Sequence, residues 1–527
     1  MLTNEQVAII NANFEDILVV EAYAGCGKTS TLIEFCKKRA NNKILYLAYN
    51  SSMAAEAKSK FKNLSNVEVM TMHSLAYKHI GYKYKDRFGN LKANFILYFD
   101  TIRQVNEKEK YKICNLALQL FRKFCNSNSQ DLKTFFNNAK KRDSSITDEV
   151  FSTLLELQDR TKNDNDLIYE HDFYLKEYQL SNPKLDYDYI LVDEAQDINE
   201  CVTDIVLQQN NSKKVFIGDS FQSIYSFRGA SNSLKKLVKQ NNAKILMLTN
   251  SFRCSEKIAE IANDYLKLVG SKNDFIGLNK KFEDTKQKAY ISRTNAKLFE
   301  IAINNLDKKI FFVGGLSSYN FNDLIDILNL MLKGSKKYEN FNDFKKYLNE
   351  LEEANQQNNI LNILENNNLI FNDFNELLAY INSLQESDGL NILNIISSNI
   401  VTIKNPFYAH FKDFKQLQDY ISTNEDIEVQ SKINMVLKNI NKNIYKLIKQ
   451  IKNQTTNNIN KAEIILSTAH KSKGLEFLNV ELTDDFIDVK DCIANSKPIE
   501  REEIHLLYVA ITRAKQELIC DKKYILD

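Results

Sequence analysis

The sequence predicts an α/β protein built on two parallel sheets, each carrying a mainly helical insertion. Three observations predict it. The apolar run 17–20 leads into Ala22-Tyr23-Ala24-Gly25-Cys26-Gly27-Lys28-Thr29 and then into a helical pattern from Ser30. Short apolar strands alternate with helical stretches, which favours parallel strands covered on both faces. The alternation breaks twice, over 81–178 and over 323–444, where apolar residues recur at helical spacing.

The first strand, glycine-rich turn and helix have the chemistry of a phosphate-binding loop. Backbone N–H groups and the helix N-terminus cradle phosphates. Lys28 would reach the β- and γ-phosphates, and the Thr29 hydroxyl would hold Mg²⁺. Ala22 stands where the usual pattern has its first glycine, with Gly25 and Gly27 forming the turn. A buried strand follows at 43–49, then an Ala-rich helix at 50–61 and a strand at 67–70 that ends at Thr71-Met72-His73-Ser74. Helical stretches are expected at 115–124, 132–139 and 150–157. Strands resume at 187–192, 214–218 and 244–248, then at 289–292, 309–314, 463–467 and 479–482.

The strand 190–192 ends in Asp193-Glu194-Ala195-Gln196-Asp197. Beside a phosphate loop, Asp193 would coordinate Mg²⁺ and Glu194 would orient and deprotonate the attacking water. The second helical region holds three similar segments, Phe341-Asn342-Asp343-Phe344, Phe371-Asn372-Asp373-Phe374 and Phe411-Lys412-Asp413-Phe414. They read either as a decayed helical repeat or as chance likeness in a biased composition.

Composition narrows the class. A chain of 527 residues has room for several domains. Its net charge of +2 excludes a global basic field, so a nucleic-acid site must be a local groove. Eight cysteines lie scattered with no Cys-x-x-Cys pair, against a zinc or iron–sulfur site and in keeping with a reducing compartment. The N-terminus lacks a signal pattern, and no apolar run approaches the roughly 18 residues of a membrane helix. The expected location is the cytoplasm, or the nucleus in a eukaryote, with no membrane partner.

Further blocks complete the pattern: Gly218-Asp219-Ser220-Phe221-Gln222-Ser223-Ile224-Tyr225-Ser226-Phe227-Arg228-Gly229-Ala230, Thr249-Asn250-Ser251-Phe252-Arg253, Thr468-Ala469-His470-Lys471-Ser472-Lys473-Gly474-Leu475-Glu476-Phe477 and Tyr508-Val509-Ala510-Ile511-Thr512-Arg513-Ala514-Lys515. In this order, from Gln6 to Lys515, the set resembles the superfamily 1 helicases of the UvrD/Rep type. His171-Asp172-Phe173-Tyr174-Leu175-Lys176, Ser292-Arg293-Thr294-Asn295-Ala296 and Val313-Gly314-Gly315 make it most similar to the helicase core of the F-box DNA helicases and their bacterial relatives. Neither an F-box ahead of the first motif nor a nuclease domain after Lys515 is expected.

The resemblance implies two RecA-like domains of the P-loop NTPase type. Domain 1A would be 1–80 with 179–250, and its insertion 1B would be 81–178. Domain 2A would be 251–322 with 445–527, and its insertion 2B would be 323–444. It further implies that Gln6 reads the adenine edge, Phe252 stacks on the base and Glu476 lies near the ribose. Gln222 would sense the γ-phosphate. Arg253 and Arg513 would be the two arginine fingers, whose bidentate guanidinium suits charge developing on phosphoryl oxygens. The strand groove would use Tyr49, Asn50, His73, Tyr225, Phe227, Arg228 and His470, aromatics stacking on bases and cations meeting the backbone. Ser30 departs from the arginine that often follows the loop threonine, and Phe227 replaces a common tryptophan. The implied activity is an ATP- and Mg²⁺-dependent 3′–5′ DNA helicase acting on single strands and junctions in recombination or repair. Its rivals are a translocase that clears proteins from single strands and an ATP-switched DNA-binding subunit of a larger assembly, such as a phage-defence complex.

Overall fold

The structure is a computed structural model that describes residues 2–103, 105–224, 232–238, 243–281, 283–333, 361, 371–384, 403–424, 426–439 and 444–526. The chain divides into two compact units, 1–280 with 500–509 and 281–499 with 510–527.

The first unit is organised by a six-stranded sheet of β1 (Ile17–Ala22), β2 (Ile44–Ala48), β3 (Val67–Thr71), β4 (Tyr189–Val192), β5 (Lys213–Gly218) and β6 (Ala243–Leu248). Their order is β3-β2-β4-β5-β1-β6, and every pair is parallel. The central strands are near-continuous apolar runs, as a sheet buried on both faces requires; β1 reads ILVVEA and β2 ILYLA, buried almost throughout. Leu47 pairs with Val192, Val192 with Phe216, and Val20 with Ile217. This register ends the strands at one level, so the residues that follow them share one edge, the edge where parallel sheets bind ligands.

Four longer helices between β3 and β4 span Glu107–Asn126, Leu132–Lys140, Asp148–Asn163 and His171–Leu180. They are not a separate globule. Phe121, Phe124, Leu154, Phe173 and Leu175 join Val19, Leu47, Ile190 and Phe216 in one continuous buried cluster.

The second unit carries a five-stranded parallel sheet. Its strands are β9 (Lys288–Ser292), β10 (Ile310–Phe312), β11 (Ile464–Thr468), β12 (Phe477–Leu482) and β13 (Ala514–Ile519), in the order β10-β11-β9-β12-β13. The two short strands between the sheets, β7 (Asn250–Ser251) and β8 (Ile276–Gly277), pair only with each other. Helices Phe414–Asn424, Ile427–Lys438 and Ile444–Gln454 pack with Asn322–Lys333 on one apolar core.

Two of the three Phe-x-Asp-Phe segments lie in described residues and are built alike. Asp373 accepts from Glu376 N (2.9 Å) while the Glu376 carboxylate accepts from Asn372 N (2.6 Å). Asp413 and Gln416 repeat this at 2.9 Å and 2.7 Å. Each is a reciprocal helix start of the capping-box kind. Rings close both alike, Phe371 on Tyr380 and Phe411 on Tyr420. The segment at 341–344 lies outside the described residues.

Candidate nucleotide and strand-binding sites

The phosphate loop grows out of β1. Gly25 (φ 69°) and Gly27 (φ 76°) turn the chain through left-handed conformations that favour glycine, and the helix Lys28–Lys37 begins immediately after. Space is as strict as conformation: a Cβ on Gly25 would lie 2.4 Å from Arg253 Cβ and 2.8 Å from Ser251 Oγ. Ser251 Oγ donates to Ala24 O (2.7 Å), and Phe252 N donates to Gly25 O (3.0 Å). Phe252 and Arg253 therefore belong to the loop's own surroundings in the first unit.

Gln6 sits in the helix Asn4–Ile10, started by a Thr3/Gln6 capping box, and its Nε2 donates to Thr31 Oγ1 at 3.1 Å. A Cβ on Gly27 would meet that Nε2 at 3.0 Å and the Phe252 ring at 3.6 Å. Gln6, Gly27 and the Phe252 ring, 46 % exposed, thus border one space with an amide edge and an apolar face.

The acids line the strand ends beside Lys28. Lys28 Nζ lies 3.1 Å from Glu194 Oε1, both side chains largely buried. Burial works against the ammonium, but Glu194 and Asp193 outweigh it and raise its pKa. Asp193 accepts from Glu194 N (2.9 Å) and from the Tyr46 hydroxyl; burial, with Glu194 adding to it, pushes its pKa up. Glu194 adopts φ 50°, a left-handed conformation that costs a non-glycine residue about 1–2 kcal/mol. The turn after it is closed by Asp197 N to Glu194 O (2.9 Å) and by Gln196 Nε2 to Glu194 Oε2 (2.6 Å).

Asp219, fully buried at the end of β5, accepts from Phe221 N (3.0 Å), Gln222 Nε2 (2.7 Å) and the Tyr508 hydroxyl (3.0 Å). The same hydroxyl accepts from Ala24 N in the phosphate loop (3.3 Å). Glu21 accepts from Ser220 N and Ser220 Oγ, both at 2.6 Å, and burial, with Asp219 nearby, pushes it up to about 7. Glu194, Asp193 and Asp219 surround the one Lys28 ammonium and leave excess negative charge, and burial raises the pKa of both Asp193 and Asp219. A divalent cation would fit that imbalance, and Asp193 and Thr29 are the oxygen-bearing side chains that would hold it. Among the described residues no three His, Cys, Asp or Glu side chains cluster as a metal site.

Three assigned residues lie in the second unit. Arg513 is 1 % exposed and donates to Leu475 O (3.1 Å) and Thr512 Oγ1 (3.2 Å). Glu476 pairs with Lys515 at 3.2 Å. His470 lies in the short helix Ala469–Ser472.

For the strand groove, the structure gathers Tyr49, Asn50 and His73 into one pocket of 380 Å³ past the ends of β2 and β3, together with Asn126, Asp172, Asp197 and Asn199. Asn50 also caps the helix Ser51–Phe61 through Met53 N (2.9 Å). Tyr225, Phe227 and Arg228 lie outside the described residues. Sequence reasoning did not single out Glu21, Tyr46, Asp219 or Tyr508; Asp219 and Tyr508 stood inside recognised motifs, but the bond between them spans 289 residues.

With this geometry in hand, known proteins show what the chain is similar to. Residues 2–243 match the UvrD/REP helicase N-terminal domain. Over 557 aligned positions the chain is 28% identical to F-box DNA helicase 1 of Gallus gallus, covering 98% of this chain and 49% of that one. It is 27% identical to the F-box DNA helicase protein 1 of Schizosaccharomyces pombe, covering 98% of this chain and 57% of the other. The ATP-dependent DNA helicase Rep of Buchnera aphidicola is 27% identical over 268 positions, 44% of this chain and 38% of Rep. The chain is thus homologous to the F-box helicases over nearly all its length and to bacterial Rep-like helicases over less, while spanning about half the length of the F-box relatives. The all-parallel sheets accord with the UvrD-like fold. No described helix is long and apolar enough to cross a membrane.

Proposed function

We propose that this chain is an ATP-dependent DNA helicase that translocates 3′–5′ along single-stranded DNA and unwinds duplex, in recombination or repair. The observation that carries the reading is the convergence of Lys28, Asp193, Glu194 and the Asp219–Gln222 pair at one sheet edge beside the phosphate loop. A static nucleotide-binding turn needs no such array of acids; hydrolysis does.

The roles follow from chemistry. The loop N–H groups and Lys28 bind phosphate oxygens, which compete with Glu194 for the ammonium. Binding thereby releases the Glu194 carboxylate to take a proton from water. Thr29 and Asp193 would hold a divalent cation, which would supply positive charge to the phosphates. Gln222, held by Asp219, is placed to answer the terminal phosphate. Phe252 and Gln6 hold the base, and Arg253 and Arg513 are the proposed cations for charge developing on the phosphoryl oxygens. Tyr49, Asn50, His73 and His470, with Tyr225, Phe227 and Arg228, are proposed to grip the strand. The second unit's sheet is proposed as domain 2A, with 323–444 as its insertion.

Strand displacement on duplexes with a 3′ or a 5′ tail, with ATP turnover measured in parallel, tests this. Unwinding from the 3′ tail is expected. Unwinding only from the 5′ tail overturns the polarity, and turnover stimulated by RNA but not DNA overturns the substrate class.

A further inference from the structure

The strand pocket contains a hydrogen-bonded chain that neither the helicase motifs nor the nucleotide site explains. His73 Nε2 meets Asp172 Oδ1 at 3.0 Å, with both side chains somewhat more than a third exposed. Asn126 Nδ2 donates to Asp172 Oδ2 at 3.1 Å and to Arg122 O at 2.9 Å. Asn199 Nδ2 then donates to Asn126 Oδ1 at 2.5 Å. Asn199 is itself fixed, since its Oδ1 caps the helix Glu200–Leu207 through Val202 N (2.9 Å). It stands two residues after Asp197, whose N–H closes the turn that holds Glu194.

Each link has one orientation. The Asn199 oxygen is committed to the cap, so its amide must donate to Asn126. Asn126 must then present its own amide to Asp172, and the carboxylate has only acceptor oxygens to offer. His73 therefore carries its proton on Nε2. The pairing shows in the Asp172 carboxyl: burial raises its pKa, but the His73 and Asn126 donors outweigh that and hold it below the ordinary range. A carboxylate that orients an imidazole in this way sets which ring nitrogen faces a ligand, as second partners do for metal-bound histidines.

We propose that Asp172 is a positioning residue that holds His73 for the DNA backbone, and that Asn126 and Asn199 tie this pair to the turn bearing Glu194, making DNA-stimulated ATP turnover depend on the chain. The proposal rests on the DNA-dependent ATPase reading above. It places the coupling between strand and nucleotide in part within the first unit, through side chains that touch neither ATP nor the scissile phosphate.

The test uses the full chain and oligo-dT. Half-saturating DNA and maximal stimulated kcat are measured for wild type, His73→Ala, Asp172→Ala, the isosteric Asp172→Asn, Asn199→Ser and the His73→Ala/Asp172→Ala double variant. Asp172→Ala is expected to raise half-saturating DNA five- to tenfold, and the double variant to match His73→Ala within twofold. Asn199→Ser keeps an oxygen for the helix cap but loses the amide donor; maximal kcat is expected to fall severalfold with less than a twofold change in half-saturating DNA. Should Asp172→Ala fail to fold, Asp172→Asn carries the same expectation. Multiplying effects of His73→Ala and Asp172→Ala, or wild-type behaviour of either Asp172 variant, overturn the positioning role. A wild-type kcat in Asn199→Ser overturns the link to Glu194. A wild-type protein whose ATP turnover ignores DNA removes the underlying reading itself.

Discussion

Two sites on one sheet edge of the first unit solve different physical problems. The nucleotide site, past β1, β4 and β5, is dense in buried charge: Asp193 and Asp219 are buried, Lys28 largely so, and their pKa values are displaced from the ordinary. The strand pocket, past β2 and β3, ties the partly exposed His73–Asp172 pair into a chain of neutral amides. The difference matches the tasks. Hydrolysis gains from fixed charges in low dielectric, where each interaction is strong and no reorganisation is needed. A strand that must be gripped and released gains from stacking faces and polar groups that water can replace.

The comparison breaks most completely at Lys28 and Glu194. Lys28→Ala or Glu194→Gln is expected to cut DNA-stimulated ATP turnover by at least about 100-fold while the thermal unfolding transition remains cooperative. Near-normal turnover in either variant would refute the site assignment. A smaller effect is expected from Tyr508→Phe, which deletes only the hydroxyl shared by Ala24 N–H and Asp219. Leaving those groups short of a partner costs about 1–2 kcal/mol, so kcat should drop about tenfold; a drop under twofold would separate Tyr508 from the Asp219–Gln222 array.

The smallest and most diagnostic effect concerns pH. The folded pKa of Glu21, about 7, lies above its unfolded value. Its contribution to stability is therefore full below the unfolded pKa and declines as the pH rises through about 7. Glu21→Gln is expected to raise the melting temperature at pH 8 relative to wild type and to flatten its change between pH 6 and pH 8, an effect on the order of 1–2 kcal/mol at most. An unchanged pH slope would place the charge cost elsewhere.

Much of the fold was legible because the forces that form it are local in sequence. A parallel strand buried on both faces must be apolar along its length, so β1, β2, β4 and β5 announced themselves. Gly25-Cys26-Gly27-Lys28-Thr29 announced the loop, because a left-handed turn before a helix leaves few other choices. The strand 514–519 did not show: its sequence AKQELI is half polar, as suits the edge of a sheet. The helical stretch over 81–178 was readable as helices, but not as part of the same core as the first sheet, which only side-chain contact could decide.

The sequence by itself determined the chemistry available: one ammonium, two adjacent acids at a strand end, a glutamine, an aromatic and arginines. Tertiary structure decided which of these meet. It set Arg253 and Phe252 against the loop, brought the Tyr508 hydroxyl to Asp219, and joined His73, Asp172, Asn126 and Asn199 into one chain. The physical reason is the range of the interactions. Periodicity and turn chemistry act within a few residues, whereas a hydrogen bond between residues 24 and 508 exists only once the sheet has brought its strand ends to a common edge.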